Sequence, residues 1–191
     1  MSAVLRLQDN REQLYAWLKP ETRVTPNHEW LACILASWCD GQGMLPDYLG
    51  LESGQFKVLS YHFFPGVQLP EQAPSGSVLD FSRMLEKDDL VNLLKRYSKL
   101  ETPETDWMIA IIVAGCLGND HLWQDLGLWS RSQLSAMLHY NFPELAAKND
   151  KNMKWKKFLY KQLCEEEGIY ICRAPSCEVC IDYPKCFGAE G

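Results

Sequence analysis

Residues 25–53 read TPNHEWLACILASWCDGQGMLPDYLGLES, and residues 102–130 read TPETDWMIAIIVAGCLGNDHLWQDLGLWS. Laid over one another without a gap, at an offset of 77, they agree at eleven of 29 positions, where average composition gives about two. The identical pairs are Thr25/Thr102, Pro26/Pro103, Trp30/Trp107, Ile34/Ile111, Cys39/Cys116, Gly41/Gly118, Leu45/Leu122, Leu49/Leu126, Gly50/Gly127, Leu51/Leu128 and Ser53/Ser130. With one inserted residue the match continues through Gln55/Gln133, Phe64/Phe142 and Pro65/Pro143, and upstream Leu14–Lys19 resembles Leu90–Lys95. Internal repeats of this kind are units that bury their apolar faces against one another.

Each unit reads as three helices. The first covers about 9–19 in one unit and 86–100 in the other. The second opens at Thr-Pro, with Thr as N-cap and Pro at the first helical position, where its missing N–H costs nothing. It ends near Gly41 or Gly118, residues suited to a C-terminal cap. The third runs over about 53–64 or 130–142 and stops before proline. No sustained period-2 pattern of apolar residues marks a strand. The expected fold is therefore all-α: two packed three-helix units, about 9–66 and 86–143, joined by a Pro- and Gly-containing linker over 67–80. A further helix, about 152–166, leads into a tail expected to be irregular.

At 191 residues the chain is long enough for one domain with a proper core. Apolar residues make up 47%, too many for disorder. The net charge of −6 argues against nucleic-acid binding. The longest apolar runs, Trp30–Cys39 and Trp107–Gly118, are too short to span a bilayer and read as buried helices. No P-loop, GxGxxG, HExxH or GxSxG element is present, which disfavours nucleotide-driven and hydrolytic enzymes. The N-terminal stretch MSAVLRLQDNREQ lacks the apolar core of a signal peptide, so a cytoplasmic, reducing location is expected.

The tail ICRAPSCEVCIDYPKCFG carries Cys172, Cys177, Cys180 and Cys186, spaced C-x4-C-x2-C-x5-C. Four thiolates so close in sequence converge at little loop-closure cost. In a reducing compartment such clusters mean metal more often than disulfides. A structural zinc site usually comes as two knuckles separated by a dozen or more residues. Here all four cysteines share one loop, as in plant-type ferredoxin spacing, which favours an iron–sulfur cluster over zinc. A zinc clip and a simple iron–sulfur electron carrier both stay open on spacing alone.

CRAPSCEVCIDYPKCFG resembles the C-terminal signature of the NifQ family, and HLWQDLGL, NFPELAAKN and MKWKKFLYKQLC also resemble its sequence. The likeness runs from about Trp107 to the C-terminus and more loosely over the rest. It implies an iron–sulfur molybdoprotein, not an enzyme, that takes molybdenum from molybdate and passes it toward the iron–molybdenum cofactor of nitrogenase. Its implied cofactor is a molybdenum–iron–sulfur cluster on Cys172, Cys177, Cys180 and Cys186. Its implied partners are the cofactor-assembly scaffold and the nitrogenase iron protein. A donor must release its metal, so three cysteines holding iron with molybdenum at a looser corner is the expected division.

Beyond the tail, positions that break the repeat are the informative ones, because one functional site need appear only once. His121 aligns with Met44, Trp123 with Pro46, Asp125 with Tyr48 and Trp129 with Glu52. His121 sits in a polar turn between helices and is a candidate additional ligand, set against an ordinary capping histidine. Cys164, eight residues before Cys172, is a candidate fifth thiolate, set against simple packing. Cys33, Cys39 and Cys116 read as small buried residues, and His28, His62 and His139 as ordinary. Lys148, Lys151, Lys154, Lys156, Lys157 and Lys161 crowd positive charge around the last helix. They read as a solvated amphipathic face that doubles as a docking or steering surface.

Overall fold

The computed structural model describes residues 3–4, 10–19, 25–73, 76, 86–166, 168, 183–188 and 190. Its described residues are overwhelmingly helical, as the repeat predicts. The first unit holds α1 (Arg11–Leu18), α2 (Pro26–Cys39), a tight turn at Asp47–Gly50, and α3 (Ser53–Phe63). The second holds α4 (Lys87–Arg96), α5 (Pro103–Cys116), the one-turn α6 (Leu122–Asp125) and α7 (Arg131–Asn141). Then come α8 (Pro143–Ala147), α9 (Trp155–Glu166) and α10 (Tyr183–Phe187). A two-residue parallel ladder, Ala3–Val4 on Val67–Gln68, gives the stretch read as linker a small structured start.

The helices α2 and α5 are the same length, 14 residues, and start 77 residues apart. Both are buried almost all round. Their apolar faces are therefore too wide for one neighbour, and each is covered from two sides. α2 packs on α1 of its own unit and on α7 of the other; α5 packs on α4 of its own unit and on α3 of the other. The units thus interlock around one core rather than forming two. Local backbone repeats as well. Gly50 and Gly127 both take a left-handed conformation, φ 84° and 75°, and Phe64 and Phe142 close α3 and α7 with φ/ψ near −130°/60°.

Two details differ from expectation, and one strained turn is new. Gly41 does follow α2 with φ 71°, the left-handed cap. Gly118, its counterpart, has no positive φ; a Cβ there would lie 2.2 Å from the carboxylate carbon of Asp125, so the glycine makes room for a side chain. The turn at Asp47–Gly50 places Tyr48 and Leu49 at φ 56° and 57°, unusual for side chains of that size. The end of the tail, expected to be irregular, is helical over Tyr183–Phe187.

No helix among the described residues is long and apolar enough to cross a membrane.

Candidate metal centre

Of the four clustered cysteines, Cys172, Cys177 and Cys180 lie outside the described residues. Cys186 is in α10, and its backbone carbonyl accepts a hydrogen bond of 2.8 Å from the N–H of Lys154, at the threshold of α9. The Lys154 ammonium also reaches the Pro184 carbonyl at 3.4 Å. Cys186 and Phe187 are half-buried against the core. Gly188 closes the helix, its N–H bonded to the Pro184 carbonyl at 2.9 Å. A Cβ at Gly188 would fall 2.5 Å from that oxygen, so the close approach requires glycine. The tail thus returns to the start of α9 and is fixed there by backbone contacts, leaving the Cys186 thiol partly open.

Glu190 extends this anchorage. Its side chain is only 3% exposed and lies between His121 and Arg131, with Nδ1 of His121 at 3.8 Å and Nε of Arg131 at 3.4 Å. His121 is the N-cap of α6, where its backbone N–H donates to Gln124 at 3.2 Å. Arg131 opens α7, and its Nη2 donates to the carbonyls of Asn152 and Met153 at 3.1 and 2.9 Å. The symmetry-breaking turn and the end of the cysteine tail therefore meet. Neither Arg131 nor Glu190 stood out in the sequence, although Arg131 aligns with Gly54 and so breaks the repeat.

Another symmetry-breaking residue, Asp125, is 1% exposed and paired with Lys156 of α9, which also donates to the Gly118 carbonyl at 2.8 Å. Burial pushes the Asp125 carboxyl up, and the hydrogen bond and charge of Lys156 pull it back. Lys156 is therefore an internal strut and not part of an exposed lysine face. Lys148 is engaged with Tyr97, Lys154 with α10 and Lys161 with Glu165, while Lys151 and Lys157 are exposed.

The other cysteines separate clearly. Cys33, Cys39 and Cys116 are buried, and burial pushes their thiols up to about 11, 12 and 12. Buried and neutral, these three pack as small apolar residues. Cys164, late in α9, is half-buried. Among the described residues no three His, Cys, Asp or Glu side chains gather to hold a metal, so His121 and Cys164 form no such group with Cys186. The chemistry of the donor set still fits a thiolate-ligated centre: the one described member of the motif is half-buried, as is Cys164, while Cys33, Cys39 and Cys116 are packed in the core.

A groove of about 470 Å³ opens on the opposite logic, where the N-termini of α2 and α5 meet. There Asn27 donates to Glu104 at 2.7 Å and to Asn141 at 2.9 Å, and Asn141 returns a bond to Asn27 at 2.8 Å. No motif pointed to this network.

A family model described as NifQ matches residues 30–188, which includes all four clustered cysteines. Protein NifQ of Azotobacter vinelandii is 44% identical over 174 residues, covering 86% of this chain and 89% of its own. Protein NifQ of Klebsiella pneumoniae is 47% identical over 169 residues, covering 85% and 99%. Protein NifQ of Rhodobacter capsulatus is 37% identical over 153 residues, covering 78% and 81%. No solved structure matches the chain.

Proposed function

This chain belongs to the NifQ family, whose name marks nitrogen fixation, and we propose that it carries molybdenum on a cysteine-ligated iron–sulfur centre and donates it to nitrogenase cofactor assembly. The observation that carries this reading is the reach of the family match, which runs through Cys172, Cys177, Cys180 and Cys186 to residue 188. Those four residues would hold the centre. When bound, it would supply soft sulfur coordination for the metals it holds.

The chain's own residues do the rest. Lys154 and Glu190 hold the end of the tail against the helical body. Lys185 and Arg173, next to ligands in sequence, offset part of the four thiolate charges. Burial of Cys33, Cys39 and Cys116 keeps competing thiols protonated and out of reach. The expected recipients are the cofactor-assembly scaffold and the nitrogenase iron protein, and exposed Lys151 and Lys157 offer an acidic partner a point of contact.

The test is elemental analysis, with the visible spectrum, of full-length protein purified anaerobically from cells given molybdate. Brown protein holding iron and molybdenum supports the donor reading, and single Cys→Ala changes at the four positions should each lower the metal content. Iron without molybdenum would make the protein an electron carrier. A colourless protein with one zinc would reduce the tail to a structural clip.

A further inference from the structure

Arg131, His121 and Glu190 have an arrangement that anchoring alone does not explain. The guanidinium is held in place by Nη2, which donates to the Asn152 and Met153 carbonyls. That loop is itself fixed: Asn149 donates to the Met153 carbonyl at 2.9 Å and accepts from its N–H at 2.7 Å. The Nε–H is therefore aimed by a rigid frame. Nε is buried, yet it makes no hydrogen bond. The Glu190 carboxylate lies 3.4 Å from it and 3.8 Å from the His121 ring. Close charge-assisted hydrogen bonds are about 2.7–2.9 Å. The carboxylate thus sits between a guanidinium and an imidazole, whose side chain also caps α6 by accepting from the Gln124 N–H, and reaches neither well.

We propose that Arg131 and His121 form a seat for a tetrahedral oxyanion, and that Glu190 occupies it as an internal substitute which molybdate displaces. A dianion with four oxygens can set one acceptor on the Arg131 Nε–H and turn another toward the His121 ring, which donates to it when protonated. It thereby takes the Nε–H that the carboxylate leaves unused. The α7 N-terminus, with Arg131 in its first turn, adds positive potential. Both residues occupy positions where the first unit has Met44 and Gly54, so the seat exists in one unit only. It lies beside the end of the cysteine tail, four residues beyond Cys186. Binding there and release of Glu190 are one event, because the same two groups hold both anions. That molybdate is the anion rests on the proposed function; the seat itself does not.

Equilibrium dialysis of the full-length chain against molybdate, with sulfate as competitor and iron measured in the same samples, tests the seat. Arg131→Gln should weaken molybdate binding by about tenfold or more, the worth of one charged hydrogen bond, and Arg131→Lys should recover part of it. Glu190→Gln should tighten binding, because it removes the competing charge. This second variant decides the matter should Arg131→Gln fail to fold. Unchanged or weaker binding in Glu190→Gln would overturn the seat, and so would a loss of iron, which would put Glu190 among the metal's own ligands. A wild-type chain that holds iron and molybdenum while every variant binds molybdate alike would overturn the seat alone. A chain without iron whose anion binding still depends on Arg131 would overturn the donor reading and keep the seat.

Discussion

Asn27 donates a 2.7 Å hydrogen bond to Glu104, the residue aligned with it one repeat later. Equivalent positions of the two units thus touch, and the Thr25 hydroxyl joins them at 2.8 Å on the same carboxylate oxygen. The amides of Asn27 and Asn141 also bond to each other in both directions. Asn27 is 1% and Asn141 5% exposed, so removing one leaves the other short of a partner in a dry place. Asn27→Ala should cost about 1–3 kcal/mol in urea unfolding. Asn27→Ala with Asn141→Leu should cost less than the sum of the single changes, because the orphaned group is then gone.

Asp125 and Lys156 form the second polar lock, between the turn after α5 and the helix that leads to the tail. Breaking such a pair is costlier than deleting it. Lys156→Met should destabilise the chain by roughly 3 kcal/mol, because the buried Asp125 carboxylate loses its counterion. Asp125→Leu combined with Lys156→Met should recover much of that. Thermal melts of the three proteins decide it: a double variant as unstable as the worse single one refutes a charge-based lock.

His28 is buried edge-on against Phe63 and Phe64, and its Nδ1 has no hydrogen-bond partner. Burial lowers its pKa; His62 nearby lowers it further, and Glu104 acts the other way. The unfolded chain therefore takes up a proton near the ordinary value of about 6.5, which the folded chain resists. The contribution of His28 is fully present above that pH and is lost as pH falls through it. Stability should drop on acidification below about 6.5, and His28→Gln should flatten that slope in denaturant titrations from pH 7.5 to 5.

Cys33, Cys39 and Cys116 should resist thiol reagents in the native chain at neutral pH, since burial holds their thiols at about 11, 12 and 12. Mass spectrometry after brief alkylation of protein stripped of metal by a chelator should find these three unmodified and Cys186 modified. Cys39→Ala and Cys116→Ala should cost on the order of 1 kcal/mol each as small cavities and leave iron content unchanged. Loss of iron in either would mean that a core cysteine serves the centre.

The architecture was readable because its signals were redundant. Thr-Pro starts, wide apolar runs and glycine stops occurred twice, at one offset, and the helices fall where both copies agreed. The interlocking of α3 and α7 across the units was not readable, because periodicity shows that a helix has a buried face but not which neighbour covers it. The lysine run misled for the same reason: Lys156 lies among surface-type residues in sequence, yet it turns inward to meet Asp125, which no local pattern announces. His121 was singled out because it breaks the repeat. Arg131 obeys the same rule, standing where the first unit has Gly54, but an arginine opening a surface helix carries no chemical signal of its own. Glu190 had no signal at all, since a lone glutamate near a chain end looks solvated until its partners are placed.

The anchoring of α10 has a consequence for how the tail works as a tether. α9 runs for 12 residues, about 18 Å, and the Cys186 carbonyl meets Lys154 just before its first turn. Glu166 closes this rod at one end and Cys186 meets it at the other, so the described residues on either side of the cysteine segment are held at opposite ends of α9. Both attachment points are made by the chain's own groups, the last turn of α9 and the Lys154 N–H on the Cys186 carbonyl. On the donor role proposed above, a chain anchored this way gives up its cargo and keeps its address, because Cys186 stays tied to the body of the protein through its backbone.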